Sequence, residues 1–148
     1  MSNQSATSVL AAELKEKFLA DDVFGNFGLY AMADLDETKY PKMPFIAFQV
    51  KRRDSGGFLE QSIRGATIDV LCAVLWSDTH PSDNSLKGWN YAEWLAENLV
   101  KFLNGLDFED LLVFENDCAE DLTDTMIDND LAYLVMVRCD LLYETQDL

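Results

Sequence analysis

Residues 66–76, ATIDVLCAVLW, alternate with a period that few folds can accommodate. In an extended chain Ala66, Ile68, Val70, Cys72, Val74 and Trp76 fall on one side, and Thr67, Asp69, Leu71, Ala73 and Leu75 on the other. Period two over eleven positions predicts a long strand with one wholly apolar face. Such a face must be covered, so the chain has to build a sheet around this strand and a second layer against it. The stretch also raises a question of chemistry, because Cys72, Asp78 and the single histidine, His80, lie within nine positions. A thiol in mid-strand on an apolar face packs, and burial disfavours its ionised form. Asp78 and His80 follow in SDTHPSDNS, a run of turn formers. A rise of about 3.3 Å per residue holds His80 away from Cys72 unless the chain doubles back. The reading is a packed cysteine and an exposed loop histidine, and no nucleophile with its base.

The rest of the chain supplies the partners. SATSVLAAELKEKFLADD predicts a helix with Leu10, Leu14 and Phe18 on one stripe, capped by Ser5 or Thr7. FGLYAMADLD is a short strand candidate, and YPKMPFIAFQVKRR a better one, with Ile46, Phe48 and Val50 opposite Ala47, Gln49 and Lys51. Between it and the long strand, DSGGFLEQSIRG predicts the tip of an extended hairpin. LKGWNYAEWLAENLVKFLNG predicts a second helix, burying Tyr91, Leu95, Leu99, Phe102 and Leu103, with Asn84 or Ser85 as cap and Gly105 as stop. After a short apolar run, Leu111 to Phe114, the acidic stretch to Asp130 reads as a solvated connection. It lacks the glycine and the spacing of a calcium loop. DLAYLVMVRCDLLYE then alternates over its whole length and predicts a central strand. The order implies one α+β domain over residues 1–148: a mostly antiparallel β-sheet, both helices packed on one face, and a projecting β-hairpin.

Charge narrows the function. The 148 residues carry 27 acids against 11 bases, a net charge of −16. Nucleic-acid affinity rests mainly on Lys and Arg, so most of this surface repels a duplex. Beyond Lys101 the one base is Arg138, whereas Lys51, Arg52, Arg53 and Arg64 cluster around the predicted hairpin and form the candidate interaction arm. The three cysteines, Cys72, Cys118 and Cys139, are scattered and read as reduced thiols. One histidine and no CxxC pair leave a structural zinc site short of ligands. No catalytic residue, cofactor or metal site is expected, and no apolar run approaches the length of a membrane span.

The succession YPKMPFIAFQV, RGATIDVLCAVLW, GWNYAEWLAENLVKFL and DLAYLVMVRCDLLYE resembles the tail terminator family of bacteriophages and prophages, the minor tail protein U-like group. It covers nearly the whole chain, and correspondence is poorest from Asp107 to Asp130. The resemblance implies a structural protein rather than an enzyme. It would form a hexameric ring on the finished tail tube, stop tube growth, and offer a surface to the head-completion or connector protein. It implies assembly in the host bacterial cytoplasm, residence in the virion tail, and passage of DNA through the ring without specific binding. The competing expectations are another head–tail connector or tail-completion protein, and a monomeric acidic adaptor or nucleic-acid-mimic inhibitor.

Overall fold

A computed structural model of the chain describes residues 6–36, 38–53, 63–108 and 111–145. In chain order these form α1 (Ala6–Ala20), β1 (Gly28–Ala31), β2 (Phe45–Arg53), β3 (Ile63–Leu75), β4 (Thr79–His80), β5 (Asp83–Lys87), α2 (Gly88–Asn104), β6 (Leu111–Ile127) and β7 (Asp130–Thr145). The main sheet has the order β1-β2-β3-β7-β6. The alternating stretch from Ala66 to Leu75 lies in its middle strand, β3. β3 pairs antiparallel with β2, from Phe45↔Ala73 to Arg53↔Gly65, and with β7, from Ile63↔Glu144 to Leu75↔Ala132. β6 joins the far side of β7, also antiparallel, whereas β1 lies parallel to β2 over Gly28–Ala31. The fold is the expected α+β class.

Register makes the two faces unlike. A single core gathers Leu10, Leu14 and Phe18 of α1 and Tyr91, Leu95, Leu99 and Leu103 of α2 against the even-numbered residues of β3 and the odd-numbered residues of β7. Phe18 stacks on Phe102 with ring centroids 4.8 Å apart, which locks the two helices together. Each large side chain fully removed from water here contributes roughly 1.5–3 kcal/mol. On the other face a smaller cluster, Phe45, Ala47, Leu71 and Ala73, packs against Met32, Leu35, Tyr40 and Met43 of the segment before β2 and Leu134 of β7. Among the described residues, neither α1 nor α2 packs on that face.

Several expectations need correction. The acidic stretch before Asp130 is a 17-residue edge strand, β6, and not a solvated connection. It is held by a two-residue turn in which Asp128 and Asn129 take left-handed backbone at φ 51° and 68°. That geometry matches the twist of a hairpin and imposes antiparallel pairing on whatever precedes it. Cys118 and Cys139 face each other across β6 and β7 as a disulfide, with Cα atoms 4.1 Å apart, so only Cys72 is a free thiol. β3 ends at Leu75, which leaves Trp76 outside the apolar face and 54% exposed. Asn84 and Ser85 lie in β5 and do not cap α2, which starts at Gly88 (φ 64°) with no side-chain cap. Gly105 does end that helix, its N–H donating to the Lys101 carbonyl at 2.9 Å. Thr7 lies inside α1, and Ser5 falls outside the described residues. Of the expected hairpin tip, 54–65, Ile63 to Gly65 belong to β3 and 54–62 fall outside the described residues; up to Arg53 and Ile63 the hairpin is flush with the sheet, because β7 and β6 run beside it as far as Thr145 and Leu111.

Candidate interaction surface

The opening triad resolves residue by residue. Cys72 is wholly buried, and loss of solvent pushes its thiol far above the ordinary range. Asp78 accepts a hydrogen bond from the Leu75 N–H at 2.7 Å and so closes the turn leaving β3. His80 is no exposed loop residue: the β4–β5 hairpin lays it half-buried, edge-on to Trp94 at 4.7 Å. Its Nδ1 accepts the Ser82 N–H at 3.0 Å. Tyr91, pushed up first by burial and further by the charge of Asp78, stands beside this group. Asp78 and His80 are thus both engaged locally, which is the behaviour of a packed corner.

The four bases of the candidate arm do not form one patch. Alternate residues of a strand point to opposite faces. Lys51 and Arg53 project from the open face, whereas Arg52 and Arg64 lie on the helix-bearing side, where both act electrostatically on the buried Tyr143 hydroxyl. Arg53 is partly committed: its Nη2 donates to the Leu141 carbonyl at 3.0 Å, and its Nη1 lies 3.9 Å from Asp140. Asp140 also accepts from the Thr67 hydroxyl at 2.8 Å.

The open face holds a polar centre that sequence reading did not single out. Gln49, Asp69, Arg138 and Ala119 occupy one row across β2, β3, β7 and β6. Asp69 is 4% exposed. Its carboxylate accepts from Arg138 Nε at 2.7 Å and from Gln49 Nε2 at 3.1 Å, with Lys51 Nζ at 3.7 Å. Burial alone would raise the Asp69 pKa, but the hydrogen bonds from Arg138 and Gln49 and the charges of Arg138 and Lys51 outweigh it and hold the carboxyl below its usual value. Beside this row is a shallow cleft of about 350 Å³, lined also by Met32, Met136, Glu120 and Asp121. A signal for the row was present: Asp69 and Arg138 are each a charge inside a largely apolar strand, and they share a face once the strands pair.

No family model and no curated protein matches this chain. Its sheet edges therefore have to be read on their own terms. β1 covers β2 only from Phe45 to Phe48, so among the described residues Gln49 to Arg53 have no strand on their outer side. A groove of about 360 Å³, lined mainly by Ala11, Ala12, Leu29, Tyr30 and Phe48, opens beside that gap between α1 and the sheet. At the opposite edge, β6 pairs with β7 alone and leaves its whole outer side unpaired among the described residues. The described residues contain no group of three or more His, Cys, Asp or Glu side chains placed to hold a metal, and none of their helices is long and apolar enough to cross a membrane.

Proposed function

We propose that this chain is a structural assembly subunit of the tail-terminator type, closing as a ring, six copies in the resemblance, on the end of a phage or prophage tail tube. The observation that carries the reading is the pair of unpaired edges on opposite sides of one sheet. A row of unsatisfied backbone N–H and C=O groups is a template for another strand, and monomeric proteins keep such edges short or cover them. Here one edge is 17 residues long. The open face, with its cleft and polar row, gives the subunit a surface unlike its helical side. Two unlike faces are what a terminator needs, one for the last tube ring and one for the head-completion protein. The surface works by complementarity and carries out no bond-making step. A net charge of −16 per copy suits a ring through which DNA slides without being held.

Light scattering coupled to size exclusion, followed by electron microscopy of the fraction, tests the reading. Rings are expected, alone or on the ends of added tail tubes, together with failure to retain duplex DNA in a gel. A chain that stays monomeric up to millimolar concentration and ignores tube ends overturns it. If that monomer instead captured a basic protein, the acidic-adaptor reading would replace it.

A further inference from the structure

The two free edges carry opposite charge. The exposed part of β2 ends in Lys51, Arg52 and Arg53 and contains no acid, whereas β6 contains no base and exposes Asp117, Glu120, Asp121 and Asp124. We infer that the Gln49–Arg53 edge of one copy adds to the β6 edge of the next, joining the subunits through one continuous sheet. The inference rests on the reading of the chain as an assembly subunit and names the surfaces by which it self-associates.

Charge selects the pairing. β6 against β6 would place acid rows face to face across about 5 Å, and β2 against β2 would do the same with bases, arrangements that like-charge repulsion penalises. Only the mixed pairing brings opposite signs together. It is heterologous, each copy offering one edge to each neighbour, so it generates a closed ring when the rotation between copies closes and a filament otherwise. Strand sense is fixed as well. β1 and β2 run one way, β3 the other, β7 back again and β6 opposite to β7. When two copies lie edge to edge with their helices on the same side, β6 of one therefore runs antiparallel to β2 of the next, the more stable ladder. Parity adds a further match: Lys51 and Arg53 share the open face with Asp117 and Asp121. The groove beside Phe48 and Tyr30 lies where the incoming strand passes, and it can take apolar side chains from that strand.

Charge exchange tests the inference on the intact chain. Arg52 on one edge and Glu120 and Asp124 on the other are exposed and share the helix-bearing side, so reversing them leaves the core untouched. Arg52→Glu alone, and Glu120→Lys with Asp124→Lys, are each expected to raise the dissociation constant of the oligomer by about tenfold or more. The chain carrying all three reversals is expected to recover assembly, which a misfolded variant would not. Amide exchange should slow in β6 and in Gln49–Arg53 on assembly, and in no other strand. If the wild-type chain assembles and both reversal variants assemble equally well, the edges are not the interface and this inference falls while the assembly reading stands. A wild-type chain that never self-associates, either alone or on tube ends, removes both.

Discussion

Asp69 keeps its charge on a face that leaves it almost no water, and three donors make that possible. The sign of the pH dependence follows from the direction of the shift. Because the folded carboxyl ionises below its usual value, it adds stability above the unfolded carboxylate pKa near 4, and that stability is lost as pH falls through the lowered folded value. Arg138 supplies the largest favourable contribution, so Arg138→Ala should raise the Asp69 pKa, leaving burial the dominant influence. The acid unfolding midpoint should then move to higher pH. Carbon-13 titration of the Asp69 carboxyl measures the first effect directly, and an unmoved pKa would deny Arg138 its role. Cys72 offers the contrasting case, a group whose neighbours do nothing to ionise it. It should stay inert to iodoacetamide at pH 8 in the native chain and react only on unfolding; labelling of the folded protein would contradict its burial.

The elements that were legible in the sequence are those with one fully apolar side. β3 up to Val74, β7 from Tyr133 onward and, apart from the half-buried Phe102, the stripes of α1 and α2 bury the residues their periodicity nominates, because tertiary packing and local pattern ask for the same thing there. β6 was not legible for the opposite reason. Asn116, Cys118, Glu120 and Leu122 alternate with Asp117, Ala119, Asp121 and Thr123, so neither side is apolar and no period stands out. The usable clue was not in the strand but at its end, where Asp128–Asn129 supplies two residues tolerant of left-handed backbone directly before a long strand. A strand with so little burial has a weakly specified register, since a slip of two residues costs few apolar contacts. The Cys118–Cys139 bond ties β6 to β7 at one pair and removes that freedom. Closing a loop of this length, a sequence separation of 21, is worth about 3 kcal/mol by the chain-entropy estimate. Denaturant unfolding of Cys118→Ser, or of the wild-type chain with reductant, should show a loss of about that size, with faster amide exchange concentrated in β6. Equal stability in both redox states would mean that the strand is fixed by other contacts. The missed start of α2 has a simpler cause. Gly88 at φ 64° replaces a side-chain cap with a backbone conformation that a Cβ disfavours, so Gly88→Ala should cost about 1 kcal/mol even though nothing crowds the position.

For the whole molecule, composition revealed the charge and its asymmetry, and only the register could show that the four bases divide between two faces while the acids line one edge. Two electrostatic effects then compete when copies meet. Each carries −16, a repulsion felt at long range, and each presents a basic edge to an acidic one, an attraction felt at contact. Salt separates them because screening acts on distance. The Debye length falls from about 30 Å at 0.01 M to about 10 Å at 0.1 M and about 3 Å at 1 M. The first step removes repulsion between molecular bodies and leaves charges a few ångströms apart nearly untouched; the second weakens the contacts themselves. Self-association should therefore strengthen from 10 mM to about 100 mM salt and weaken again toward 1 M. Sedimentation velocity across that range would display the maximum. A monotonic rise to 1 M would mean that apolar surface, such as the groove beside Tyr30, holds the copies together without the charged edges.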